Sequence, residues 1–133
     1  MGVRAKELRY AVDLRDDGTL RTENGAPLET DPGWSSEHLL LAALVRCSLQ
    51  SLRYHARRVR IDVEEAHGEA RALVTKRPSD GRYGVVEATV ELEVRLVPLP
   101  GEAELAALLE KAERDCFIGA SLTAVPEYRW TVI

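Results

Sequence analysis

The chain is poor in the residues that most often announce a chemistry. Its 133 residues include two cysteines, three histidines, one methionine, one asparagine and one glutamine. The cysteines stand 69 positions apart, at 47 and 116. The charged segment Met1 to Tyr10 has no apolar stretch of the kind a secretory signal needs, so the expected home is the cytoplasm. A static structural disulfide is disfavoured there, and the pair reads either as two inert thiols or as thiols that cycle. His38, His55 and His67 show no metal-ligand spacing with one another or with the cysteines, which argues against a zinc site. No Gly-x-Ser-x-Gly elbow is present, which removes the usual signature of a serine hydrolase. The longest apolar run, Leu39 to Val45, falls far short of the ~20 residues that cross a bilayer. Positive charge is short as well: the net charge is −4, and the fifteen arginines alternate with acids. Nucleic acid is therefore a poor candidate partner, because phosphate binding needs a concentrated positive field. Few Asn, Gln and Met residues, with arginine well ahead of lysine, are compatible with a thermophile or a GC-rich genome.

What remains is a chain of ordinary apolar content, long enough for one domain, taken here as residues 1–133. Its first thirty residues read as short strands, with "LRYAVDL" alternating and Asp-Gly and Asn-Gly turn signals after it. "TDPGWSS" is a breaker-rich loop, with Ser35 or Ser36 placed to cap the helix that follows. That helix, from about Ser36 to Arg57, is apolar on every side in its first half, as expected of a helix buried all round. In its second half Arg46, Gln50, Arg53 and Arg57 form one polar stripe. Leu40, Leu44, Cys47 and Ser51 form another, about 100° away. Arg46 and Cys47 are neighbours in sequence and yet face different ways.

Beyond the helix, "VRIDVEEAHGEARALVTKR" alternates and changes phase near Gly68, which predicts a bulge or tight bend. "RPSDGRYG" is a hairpin turn, and Val86 to Leu96 alternates cleanly as a half-buried strand. "GEAELAALLEKAERD" predicts an amphipathic helix with Leu105, Leu108, Leu109 and Ala112 inward. "CFIGASL" reads as a helical turn, and "EYRWTVI" as a last strand with Tyr128, Trp130 and Val132 on one face. Trp34 and Trp130 read as core or interface anchors. The fold class is α+β: a curved antiparallel sheet wrapped around a long buried helix.

Both cysteines sit beside helix features. Cys47 has small polar neighbours, Ser48 and Ser51, and Cys116 opens the short turn after the second helix, where unpaired amides favour a thiolate. Taken together, "SSEHLLLAALVRCSLQSL" and "AERDCFIGASLTAVPEYRWTV" resemble the OsmC/Ohr family, the osmotically inducible and organic hydroperoxide resistance proteins. The likeness rests on a Glu opening a Leu/Ala-rich helix with a Cys ten residues later, here Glu37 and Cys47, and a second Cys before the last strand, here Cys116. Three positions depart from the family pattern: Ser35-Ser36 before the glutamate, Arg46 before the first cysteine, and "CFIGASL" in place of Cys-Pro-x-Ser.

The resemblance implies a thiol peroxidase of two intertwined subunits with active sites at the dimer interface. Cys47 would attack an organic hydroperoxide and become a sulfenic acid. Cys116 would resolve it as an intramolecular disulfide, which an external dithiol reduces. No metal, haem, flavin or other cofactor is required. An arginine held by Glu37 would activate the thiol; Arg15 matches one branch of the family, with Arg21 as runner-up. Because ten helical residues span ~15 Å, Glu37 cannot touch Cys47 within one helix. Two other readings stay open. A hotdog-type acyl thioester hydrolase would use Glu37 as base, and a dimeric binding module would keep the fold with inert thiols.

Overall fold

A computed structural model describes residues 4–133 and divides the chain into two compact units, one ending at Ser35 and one running from Ser36. In the first unit β1 (Val12–Leu14), β2 (Leu20–Thr22) and β3 (Pro27–Leu28) form an antiparallel meander. Both expected turns are present. Gly18 and Gly25 adopt φ of +88° and +87°, which side chains disfavour, and the Asp17 carboxylate accepts the Thr19 N–H at 2.9 Å. The strand expected from Leu8 is shorter than its alternation suggested, pairing only from Val12.

The second unit begins with α1 (Ser36–Arg58). Glu37 in its first turn and His55, Arg57 and Arg58 in its last complement the helix dipole. The helix ends in a Schellman motif: the Ile61 N–H reaches the Ala56 carbonyl at 2.9 Å and the Arg60 N–H reaches Arg57 at 3.1 Å, with Arg60 left-handed at φ 61°. Ile61 then buries its side chain in the core.

The long strands β4 (Asp62–Lys76) and β5 (Tyr83–Val97) pair antiparallel across their whole length. The register slips at Val63/Glu65 and at Leu73/Val74, and not at Gly68 as the phase change suggested. Gly68 has a different reason to be glycine. A Cβ there would lie 2.0 Å from the Glu91 carbonyl oxygen, so the two backbones approach more closely than any side chain permits.

After β5 come α2 (Glu102–Arg114) and α3 (Phe117–Ala120), then β6 (Glu127–Val132). The sheet order is β4-β5-β6, and β6 runs parallel to β5. The sheet is therefore mixed, which corrects the all-antiparallel expectation. Alternation reports which residues face inward and says nothing of strand direction, and the helical crossover through α2 and α3 is what a parallel neighbour requires.

The core gathers Leu44, Leu52 and Ala56 of α1, Val90, Leu92, Val94 and Leu96 of β5, Leu108 and Ala112 of α2, and Cys116. One face of α1 is thus buried within this chain, while Leu39 to Ala43 are only half-buried. The expectation of a helix enclosed on every side is met along one stripe. Arg46, Gln50, Arg53 and Arg57 are all exposed, as the polar stripe required. Among the described residues no helix is long and apolar enough to cross a membrane.

Candidate active site

The buried face of α1 carries the site. Cys47 is half-buried there, and Ser48, one position on, is wholly buried. Ser48 donates its hydroxyl hydrogen to the Leu44 carbonyl at 2.8 Å, as a serine facing back along its own helix does. Against this turn packs α3, whose N-cap residue is Cys116, with 0% of its surface exposed. Its sulfur accepts the Gly119 N–H at 3.4 Å and lies 3.6 Å from Ser48 Oγ. The Tyr128 hydroxyl, from β6, sits 3.1 Å from the same Ser48 oxygen. Because the single Ser48 hydrogen is spent on Leu44, the phenol is the donor in that pair.

The two cysteines, so far apart in sequence, are free thiols close enough for each to shift the other's ionisation. Their electrostatics differ. Burial pushes the Cys47 thiol up, the backbone amides of Ile118 and Phe117 pull it part of the way back, and the neighbouring Cys116 adds to the rise. Burial also pushes Cys116 up, but the Gly119 amide and the Ser48, Cys47 and Tyr128 groups outweigh it, leaving this thiol below its ordinary value. Burial likewise holds the Tyr128 phenol well above its usual range, so it stays a donor. Within this chain, negative charge is more at home on Cys116 than on Cys47.

Several neighbours hold this geometry. A Cβ on Gly119 would meet the Cys116 sulfur at an ordinary 3.5 Å but would crowd the Tyr128 oxygen at 3.2 Å, so the phenol would have to give by a few tenths of an ångström. Tyr128 stacks on Trp130 with rings 7° from parallel, and the Trp130 indole N–H donates to Glu113 at 2.9 Å. His55, two turns beyond Ser48 on α1, pairs with the Asp115 carboxylate at 2.7 Å and ties down the residue before Cys116. The Arg114 guanidinium, with His55 assisting, keeps Asp115 below the usual carboxylate range. Ser51 Oγ, one turn past Cys47, is buried with no hydrogen-bond partner among the described residues.

Of the residues singled out by sequence, Cys47 and Cys116 are thus brought together. Glu37 lies in the first turn of α1, where its carboxylate accepts the Ser36 hydroxyl at 3.1 Å. Arg15 belongs to the first unit, ion-paired to Asp13 at 3.0 Å, and it lines one open depression there together with Arg21. Ser48, Tyr128 and Gly119 were not legible as site residues. The only signal was the adjacency of Ser48 to Cys47, since nothing in sequence links Tyr128 to a helix 80 residues earlier. Among the described residues no cluster of His, Cys, Asp and Glu is placed to hold a metal ion.

The fold is one seen before. The chain is similar to an OsmC-like protein of unknown function from Vibrio cholerae, with a TM-score of 0.74 at 18% identity over 96% of this chain and 100% of that one. It is also similar to an organic hydroperoxide resistance protein OsmC from Legionella pneumophila, with a TM-score of 0.63 at 17% identity, covering 96% and 98% of the two chains. The organic hydroperoxide resistance protein OhrB of Bacillus subtilis superposes with a TM-score of 0.61 at 14% identity, covering 94% and 96%. No curated protein sequence matches. The family model described as OsmC-like protein matches residues 29–130, a stretch that holds Glu37, both cysteines, Ser48 and Tyr128, and the chain belongs to that family.

Proposed function

We propose that the protein is a thiol-dependent peroxidase that reduces organic hydroperoxides to alcohols in the reducing cytoplasm. The observation that carries this reading is that the half-buried Cys47 and the buried Cys116, the N-cap of α3, stand close enough to shift each other's ionisation. The Cys47 thiolate attacks the terminal oxygen of the hydroperoxide, the O–O bond breaks, and the alkoxide leaves as an alcohol after taking a proton. Cys47 is left as a sulfenic acid. The Cys116 sulfur then attacks the Cys47 sulfur, expelling water and closing a disulfide, which an external dithiol reduces. A sulfenic acid beside a second thiol is the arrangement that makes the first oxidation reversible.

Because its own chain pushes the Cys47 thiol up, this chemistry needs a cation near that sulfur. The family resemblance proposes Arg15 for that role, with Arg21 as the alternative, and both line one depression of the first unit. The chain is proposed to act as a homodimer. Among the described residues the outer edge of β4 has no partner strand, and it carries the exposed Leu73 and Val74. A second copy would cover these along with the half-buried start of α1.

Consumption of an alkyl hydroperoxide with a dithiol reductant tests the proposal. Cys47→Ser is expected to abolish turnover. Cys116→Ser is expected to react once per subunit and stall as a sulfenate or mixed disulfide. Undiminished turnover by Cys47→Ser would end this reading, and thioester hydrolysis by the double Cys→Ser variant would replace it.

A further inference from the structure

Two sulfurs joined in a disulfide present two possible points of entry to a reductant, and they leave different sulfurs behind. The surroundings of the pair are unequal. Cys116 has no exposed surface, whereas Cys47 is half-buried. Three groups converge on Cys116: the Gly119 N–H at 3.4 Å, Ser48 Oγ at 3.6 Å, and the Tyr128 hydroxyl behind Ser48 at 3.1 Å.

The proton count of this cradle matters. While Cys116 is a thiol or half of a disulfide, Ser48 gives its hydrogen to Leu44, and Tyr128 gives its own to Ser48. The Leu44 carbonyl belongs to a continuous helix and keeps its helical N–H donor if the Ser48 hydroxyl rotates away. A negative charge appearing on Cys116 can therefore draw the Ser48 hydrogen without stranding a buried carbonyl. Tyr128 can follow it. The cradle is a set of donors waiting for charge at one sulfur.

We infer that the Ser48–Tyr128–Gly119 cradle makes Cys116 the leaving sulfur when the Cys47–Cys116 disulfide is reduced, so that the external dithiol enters at Cys47. This rests on the redox cycle proposed above and adds its direction. The thiolate of the reductant attacks Cys47 Sγ, forming a mixed disulfide; the Cys47–Cys116 bond breaks, and its electron pair departs on Cys116. The second thiol of the reductant then attacks the reductant's own sulfur in the mixed disulfide. Cys47 is freed, the reductant leaves as a disulfide, and its two protons pass to the two protein sulfurs. The lowered position of the Cys116 thiol agrees with this direction, because a better-stabilised thiolate leaves faster.

The test uses the full chain with its disulfide closed by diamide, a thiol oxidant, so that the readout does not require hydroperoxide turnover. A monothiol, 2-mercaptoethanol, is added, the mixture is quenched in acid, and the labelled cysteine is located by peptide mass mapping. The label is expected on Cys47. Tyr128→Phe and Ser48→Ala should each slow this exchange by roughly tenfold. In the Cys47→Ser background each should also raise the midpoint of thiolate absorbance of Cys116, a shift that looser packing alone does not produce. A label on Cys116, or parental exchange rates in both hydroxyl-deleted variants, overturns the inference even if hydroperoxide is consumed. Failure of diamide to close the bond overturns both this inference and the peroxidase cycle.

Discussion

Gly68→Ala is the substitution whose cost can be read most directly from the backbone. The added Cβ would stand 2.0 Å from the Glu91 carbonyl oxygen, 1.4 Å inside the 3.4 Å at which ordinary contact begins. The obstacle is backbone and cannot rotate aside. The strands must part at the Gly68↔Leu92 pair, in the middle of the β4–β5 ladder. Opening it by that amount breaks about two ladder hydrogen bonds, each worth ~0.5–1.5 kcal/mol net. It also loosens Val90, Leu92 and Val94, which belong to the same buried core as Leu44 and Leu52 of α1. A total of about 3 kcal/mol follows, which for a chain of this size lowers the melting temperature by roughly 10–15 °C. Thermal unfolding followed by circular dichroism, at matched protein concentration, measures it. A variant melting within about 2 °C of the parent would refute the reasoning, because the close approach would then be absent in solution.

Other outcomes follow from single features. Arg60→Gly relieves a left-handed arginine, which costs ~1–2 kcal/mol, against ~0.5–1 kcal/mol of added glycine entropy. The urea midpoint should rise with an unchanged slope, and a fall would mean the Arg60 side chain contributes more than its backbone costs. Ser51→Ala removes a buried hydroxyl that has no partner among the described residues, so stability should hold or rise by about 1 kcal/mol, with hydroperoxide consumption unaffected. A clear loss in either would show that the hydroxyl has a role. In Cys47→Ser, thiolate absorbance should report Cys116 ionising below the ordinary thiol value. Because the folded value is depressed, the stability this thiolate contributes is present above the unfolded thiol's pKa and is lost as pH falls through the folded one. A midpoint above the ordinary value would contradict the cradle.

The sequence alone determined where the elements lie and which way they face. The 3.6-residue spacing of α1 separated Arg46 from Cys47, and the exposed Arg46, Gln50, Arg53 and Arg57 bear that out. Alternation located the inward face of β5, and the inward positions of α2 were legible for the same reason: local periodicity is written in local residues. The pairing of the two thiols was named only through a family resemblance, since no local pattern joins positions 47 and 116. Tertiary structure decided what no periodicity encodes. It set β6 parallel to β5, an outcome of the crossover and not of the strand's own residues. It made Gly68 a point of backbone contact, although the phase slips lie elsewhere. It also brought Ser48, Gly119 and Tyr128, from three different elements, around one buried sulfur. Ionisation follows from what surrounds a group in space, so which cysteine better holds a negative charge became readable only once the chain had folded.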